Sequence, residues 1–264
     1  MIATTELKPR PGVAETFRHA MIMTRRNLMR LRTNPFELVG MVMFPVIFVV
    51  LFVFVFGGAI SGSQTSYLMF ALPGILVQGA IFGSQSTGQG MHEDISKGVF
   101  DRFRSLPIAR SAPLLGQITG DVVRIGLGIL ITFAFGVALG FRVHTGPVQA
   151  VLAFAVMLAF SFSFSWILTF IGVVAKSPVV VGTAAMIVMF PLTFASSVFV
   201  PAHTLPGPLQ AWSTISPVSL LSDTVRGLLL GGPVLEPGWK ALVWAVLIVA
   251  VFAPLSVRAY LRRA

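Results

Sequence analysis

The side chains best placed for chemistry lie between residues 92 and 110, in the run His92-Glu93-Asp94-Ile95-Ser96-Lys97-Gly98-Val99-Phe100-Asp101-Arg102-Phe103-Arg104-Ser105-Leu106-Pro107-Ile108-Ala109-Arg110. Asp94 suits a helix N-cap, and Pro107 would stop that helix near Leu106. Between them Val99, Phe103 and Leu106 recur at i, i+4 and i+7, with Phe100 beside them. Lys97 and Asp101 stand at i, i+4, and Asp101 and Arg104 at i, i+3, the spacings of helical ion pairs. The pattern predicts a short amphipathic helix whose apolar knobs either dock in a groove of a soluble partner or rest on lipid.

Catalytic constellations are absent. No Lys follows a Gly, so there is no phosphate-cradling P-loop, and neither a His-Glu-x-x-His pair nor a Gly-x-Ser-x-Gly elbow occurs. His19, His92, His144 and His203 are scattered, and cysteine is missing, which removes thiolate metal sites and disulfides. We assign no catalytic residue, no metal site and no cofactor to the chain.

Two polar stripes stand inside apolar sequence. Gln78, Gln85 and Gln89 fall at i, i+7 and i+11, and Ser161, Ser165 and Thr169 at steps of four. Such stripes face protein, not lipid. They either line a translocation path or form interhelical hydrogen bonds. Asp121 and Arg124 stand at i, i+3, either as a pair or as separate interfacial anchors. Gly79/Gly83, Gly116/Gly120 and Gly136/Gly140 have the small-x-x-x-small spacing of close helix contacts, and Pro45, Pro73 and Pro191 interrupt apolar runs.

The elements that carry these residues are membrane spans. Hydrophobic residues make up 55% of the 264 and charged ones only 11%, too few to cover a water-soluble surface. A span needs about 20 apolar residues to cross about 30 Å of hydrocarbon. Six runs meet this, at about 36–59, 67–88, 117–141, 148–175, 179–200 and 239–257. They are continuous, not alternating, which selects helices over a barrel.

The net charge of +10 would suit nucleic acid, but the cations flank apolar runs instead of forming a groove, so we expect no nucleic-acid partner. With the N-terminus inside, only Arg142, Arg226 and Lys240 of the 19 Lys and Arg residues fall outside. The expected architecture is an all-α, multi-pass protein of the inner (plasma) membrane. It has six transmembrane helices, cytoplasmic termini and a single permease domain over 1–264. Phe17, Met21, Leu28 and Leu31 among five arginines predict an interfacial amphipathic helix over 13–32, or else an unstructured basic tail. Residues 92–110 form a cytoplasmic loop. The Pro- and Gly-rich segment 201–238, with the short apolar patch Val218 to Leu230, predicts outer re-entrant helices.

The inner-loop run from Glu93-Asp94 through Lys97-Gly98-Val99-Phe100-Asp101-Arg102-Phe103-Arg104-Ser105-Leu106-Pro107, followed by Ala109-Arg110 and Gly120-Asp121, resembles the permeases of type-2 ABC exporters. It is most similar to their actinobacterial daunorubicin-resistance branch. Ser197-Val198-Phe199-Val200-Pro201, Leu205-Pro206, Ser216-Pro217-Val218-Ser219 and Arg226-Gly227-Leu228-Leu229-Leu230-Gly231 extend the resemblance along nearly the whole chain. Family members often carry Asn-Pro where this chain has Ser216-Pro217.

The resemblance implies an ATP-driven exporter of an amphipathic drug, lipid or glycolipid. ATP and Mg would bind a separate ATP-binding subunit, present in two copies. A second permease, identical or homologous, would complete the transporter. It further implies that Glu93, Asp94, Val99, Phe100, Asp101, Arg102, Phe103, Arg104 and Leu106 couple to that subunit. The alternative is a stand-alone exporter driven by an ion gradient, which requires ionisable groups near mid-membrane.

Overall fold

The computed structural model describes residues 35–98 and 112–263, so the expected interfacial helix over 13–32 and the run from Val99 to Arg110 lie outside the described residues. The described chain is helical throughout, with no strand. A first rod consists of α1 (Pro35–Val50), a π-helical turn (Leu51–Phe56) and α2 (Gly57–Ser61). It ends at Gly62, whose φ of 71° is a left-handed cap that only glycine adopts cheaply. Ser63 then caps α3 (Gln64–Gly83) by accepting from the Ser66 amide at 3.1 Å. After Ser84 comes α4 (Gln85–Ser96).

The remaining long elements are α5 (Ala112–Ala138), α6 (Pro147–Val174) and α7 (Pro178–Phe194). Two short helices follow, α8 (Gly207–Ser213) and α9 (Pro217–Leu230), before the final α10 (Leu235–Arg263). Proline at the first turn of α6, α7 and α9 suits a position whose amide has no helical acceptor.

Among the described residues, five helical stretches are long and apolar enough to cross a membrane: Met43–Ser61, Gln64–Ser96, Leu114–Ala138, Pro147–Val174 and Leu235–Arg262. The fifth apolar run of the sequence is shorter than expected. Its helix ends at Phe194, and residues 195–200 leave it. Serine side chains take over the backbone there. Ser196 Oγ donates to the Thr193 carbonyl and accepts from the Val198 amide, while the Ser197 amide donates to Ser219 Oγ at 3.1 Å.

Helix α3 is the buried centre. Tyr67, Ala71, Leu72, Ile75 and Val77 are wholly enclosed, and the Tyr67 hydroxyl donates to the Phe199 carbonyl at 2.8 Å. Phe52 stacks on Phe199 at 4.3 Å, joining the first rod to the turn after α7. A second cluster, Met91, Leu114, Ile118, Trp166, Val173 and Tyr260, ties together the C-terminal part of α4, the first turns of α5, the C-terminal half of α6 and the last turns of α10. Outward faces of the first rod and α10 carry exposed side chains such as Val55, Ile47 and Val246, as lipid-facing surfaces do.

Lipid tails are as apolar as leucine, so helix association here depends on close packing. The tightest crossing joins α4 and α6. A Cβ built on Gly172 would stand 2.2 Å from the Gly88 carbonyl oxygen, and one on Gly88 would stand 2.6 Å from the Leu168 carbonyl oxygen. Of the expected glycine contacts, Gly83 abuts Ile125 and Gly136 abuts Leu72. Gly140 makes no such contact: at φ 108° it turns the chain after α5, with nothing near its missing Cβ.

Candidate coupling and translocation elements

Of the segment 92–110 expected to couple to a partner, the described part is the end of α4. Glu93 is exposed and pairs with Lys97 on the next turn. Asp94 is only 4% exposed and sits in the last turn of α4, so it is not the N-cap expected from sequence. The helix stops because Lys97 caps it and Gly98 turns left-handed at φ 63°. The expected helix therefore does not start at Asp94, which belongs to a helix that has ended before Gly98. Hydropathy periodicity hid the break, since Ile95 and Val99 keep the same register across it. Val99, Phe100, Asp101, Arg102, Phe103, Arg104 and Leu106 lie outside the described residues.

The second cluster anchors both flanks of this segment. His92 Nδ1 lies 3.3 Å from the Gly172 carbonyl oxygen, adding a polar contact at the glycine crossing. On α5, Asp121 binds Arg124 at 3.2 Å and accepts from Gln117 Nε2 at 3.2 Å, all three side chains being nearly enclosed. Of the two sequence alternatives, pairing is the one realised. Pairing lets two opposite charges lie beside the apolar phase without either standing alone.

The two polar stripes have different surroundings. Ser161, Ser165 and Thr169 are fully buried within the chain. Ser161 Oγ bonds the Met157 carbonyl at 2.9 Å and approaches the Ala80 carbonyl at 3.4 Å, while Ser84 Oγ donates to the Ser161 carbonyl at 3.4 Å. This seam stitches α6 to α3 and leads into the Gly88–Gly172 crossing. Gln78 is also enclosed, at 1% exposure. Gln85 is half-buried and Gln89 exposed, and both amides lie beside Gly182 of α7.

A third group was not assigned a role from the sequence. Arg226 on α9 donates from Nη1 to Asp223 Oδ1 at 2.6 Å, from Nε to the Phe70 carbonyl at 3.2 Å, and from Nη2 to the Ser197 carbonyl at 3.1 Å. Its guanidinium lies 4.0 Å over the Phe70 ring. Ser197 Oγ in turn donates to Asp223 Oδ1 at 3.0 Å. One side chain thus clamps α3, α9 and the turn after α7. The signal was present: Arg226 is one of three Lys or Arg residues expected on the outer side and stands at i, i+3 from Asp223. Beside it, an open cleft of about 440 Å³ separates the C-terminal half of α9 from the first turns of α10.

The sequence pattern of the ABC-2 type transporter family matches residues 18–230. The chain belongs to this family. The permease is 39% identical over 251 residues to the daunorubicin resistance ABC transporter permease protein DrrB1 of Streptomyces coeruleorubidus, covering 95% of this chain and 89% of the relative. It is 27% identical over 259 residues to the probable doxorubicin resistance ABC transporter permease protein DrrC of Mycobacterium tuberculosis, covering 97% and 94%. The putative transport permease ycf38 of Cyanophora paradoxa is 23% identical over 212 residues, covering 78% and 72%. This ABC-2 permease is a multi-pass membrane protein and the membrane subunit of an ABC exporter.

Proposed function

We propose that this permease moves an amphipathic drug, lipid or glycolipid outward, driven by ATP that binds and is hydrolysed with Mg in a separate subunit. The observation that carries the reading is similarity over 95% of the chain to a permease named for daunorubicin resistance. The absence of a P-loop in the sequence supports a separate ATPase, because the nucleotide chemistry then has to reside in a partner.

In this reading two ATP-binding subunits serve two permeases, identical or homologous. The chain crosses six times with both termini cytoplasmic. Helix α7, at about 1.5 Å per residue, is about 25 Å long and makes the short fifth crossing. Helices α8 and α9 form the outer re-entrant pair. Residues 92–110 are the coupling loop, in which Val99, Phe100, Phe103 and Leu106 supply apolar knobs and Glu93, Asp101, Arg102 and Arg104 the polar rim. Asp94 braces its base from within α4. Partner closure on ATP pulls this loop. The second cluster, which holds both flanks, passes the displacement to α4, α5, α6 and α10. Gln85 and Gln89 beside Gly182 are the polar groups we assign to the substrate path. A stand-alone, ion-coupled exporter gains little support from Asp121, which is held by Arg124 and Gln117.

The test is purification of the tagged permease from native membranes in mild detergent, with mass spectrometry of co-purifying chains. A P-loop ATPase is expected with the wild-type chain. It should fall at least about tenfold with Phe103→Ala/Leu106→Ala, because two anchor side chains of a small interface each carry 1–2 kcal/mol or more. Membrane insertion should be unchanged. Normal ATPase recovery and transport in the double variant would overturn the coupling assignment.

A further inference from the structure

The cleft between α9 and α10 has a lining that the transport reading does not use. Its charged groups are Asp223, Arg226, Glu236 and Lys240, two of each sign, with Thr214 at the rim and Leu220, Pro233 and Pro237 as apolar neighbours. Gly231 and Gly232, at φ 90° and 138°, turn the chain there without placing a side chain over the opening. Its volume of about 440 Å³ is that of a small-ligand site.

The internal hydrogen bonds leave a defined complement. Asp223, which lines the cleft, takes both the Arg226 and Ser197 bonds on Oδ1, so Oδ2 is not spent on either. Arg226 spends four of its five N–H donors inside the fold, on Phe70, Asp223, Ser197 and Ser222. Lys240 Nζ spends one proton on Glu236 Oε1 at 2.8 Å and has two more to donate. The Lys240 and Glu236 side chains are 36% and 75% exposed, so their mutual pair is weak and exchangeable. What remains is one carboxylate oxygen on each of Asp223 and Glu236 and two N–H groups on Lys240, a pattern that complements a zwitterion. With two charges of each sign the lining has no net charge, so it favours a ligand carrying both signs over a lone anion or cation.

The depth of the cleft points the same way. Trp239 lies against Lys240, whose Nζ is 6.0 Å from its ring centroid, and Trp244 Nε1 donates to the Ile215 carbonyl at 3.0 Å. Indoles with one wet and one apolar side sit at headgroup level.

We propose that this cleft binds the phosphate–ammonium headgroup of an outer-leaflet phospholipid such as phosphatidylethanolamine. Lys240 takes the phosphate and Asp223 Oδ2, aided by Glu236, takes the ammonium. The proposal rests on the outward placement of the α9–α10 end in the transport reading.

The permease is purified into nanodiscs of mixed phosphatidylethanolamine and phosphatidylglycerol, and retained lipid is measured by native mass spectrometry. Ethanolamine lipid should be enriched roughly tenfold on the wild type, as expected for one charge-assisted contact at each end. Enrichment should fall to near parity in Glu236→Gln/Lys240→Gln, whose sites are exposed and outside the clamp. Asp223→Asn should reduce it while keeping Oδ1 for Arg226. No enrichment on the wild type, or enrichment untouched by the variants, overturns the site. Because the chain has no cysteine, Thr214→Cys at the cleft rim reports sidedness through an impermeant maleimide on intact cells. Labelling from outside with no lipid preference overturns the headgroup site alone. Labelling only after permeabilisation overturns the outward placement as well.

Discussion

Replacing Gly172 with valine should lower the melting midpoint of the detergent-solubilised permease by roughly 10 °C, the shift that about 3 kcal/mol produces in a chain of this size. The cause is backbone meeting backbone. The first atom of any side chain at Gly172 would stand 2.2 Å from the Gly88 carbonyl oxygen, and neither helix can give locally without losing its own hydrogen bonds. The two helices must separate, which also pulls the His92 ring from the Gly172 carbonyl and loosens the serine seam above.

Gly136→Ala is the informative comparison. Its clash of 2.3 Å is almost as short, but the partner is Leu72 Cδ2, the far end of a flexible side chain, so the expected loss is about 1 kcal/mol. Gly58→Ala, with nothing within 4 Å, should be neutral or slightly stabilising. Melting curves followed by fluorescence-detected size exclusion would rank the three. A Gly172→Val chain that melts with Gly58→Ala would show that the α4–α6 crossing does not hold the fold.

Arg226→Ala is expected to cost nearly as much. The guanidinium satisfies two backbone carbonyls, at Phe70 and Ser197, and a carboxylate, from one planar fork. Breaking a buried ion pair costs about 3–5 kcal/mol, and the 43% exposure of the Asp223 side chain reduces that to about 2–4 kcal/mol here. Arg226→Lys should recover about half of the loss, because an ammonium at one point cannot reach all three acceptors. Asp223→Asn should be milder still, since an amide oxygen can keep both bonds made to Oδ1.

The measurement is thermal stability of each single variant and of Arg226→Ala/Asp223→Asn. A double variant that loses less than the two singles together would show that the pair acts as a unit. A stability of Arg226→Ala equal to wild type would remove the clamp from this account. Transport should fall with stability, because the clamp joins the turn after α7 to both α3 and α9.

The apolar runs were legible because hydropathy is local and additive: each run near 36–59, 67–88, 117–141, 148–175 and 239–257 coincides with a long helix in the structure. The run from Glu93 to Arg110 was recognisable as a family motif because residue order is likewise local, and the Asp121–Arg124 pair from its spacing. Boundaries set by side chains capturing backbone were less legible. Ser196 and Ser197 end α7 at Phe194 within a run that hydropathy reads as continuous, and Gly98 ends α4 where periodicity continues.

What the amino-acid sequence by itself determined is the all-helical membrane class and the family, since both depend on residue types in order along the chain. Only the tertiary structure decided that Ser161, Ser165 and Thr169 are buried within the chain while Gln89 stands open. Only it showed that Gly88 meets Gly172, and that Arg226 reaches carbonyls 156 and 29 residues away. The physical reason is that each of these depends on which helix face meets which other helix. That is set by shape and close packing between distant segments, and a one-dimensional pattern of hydrophobicity and charge does not specify it.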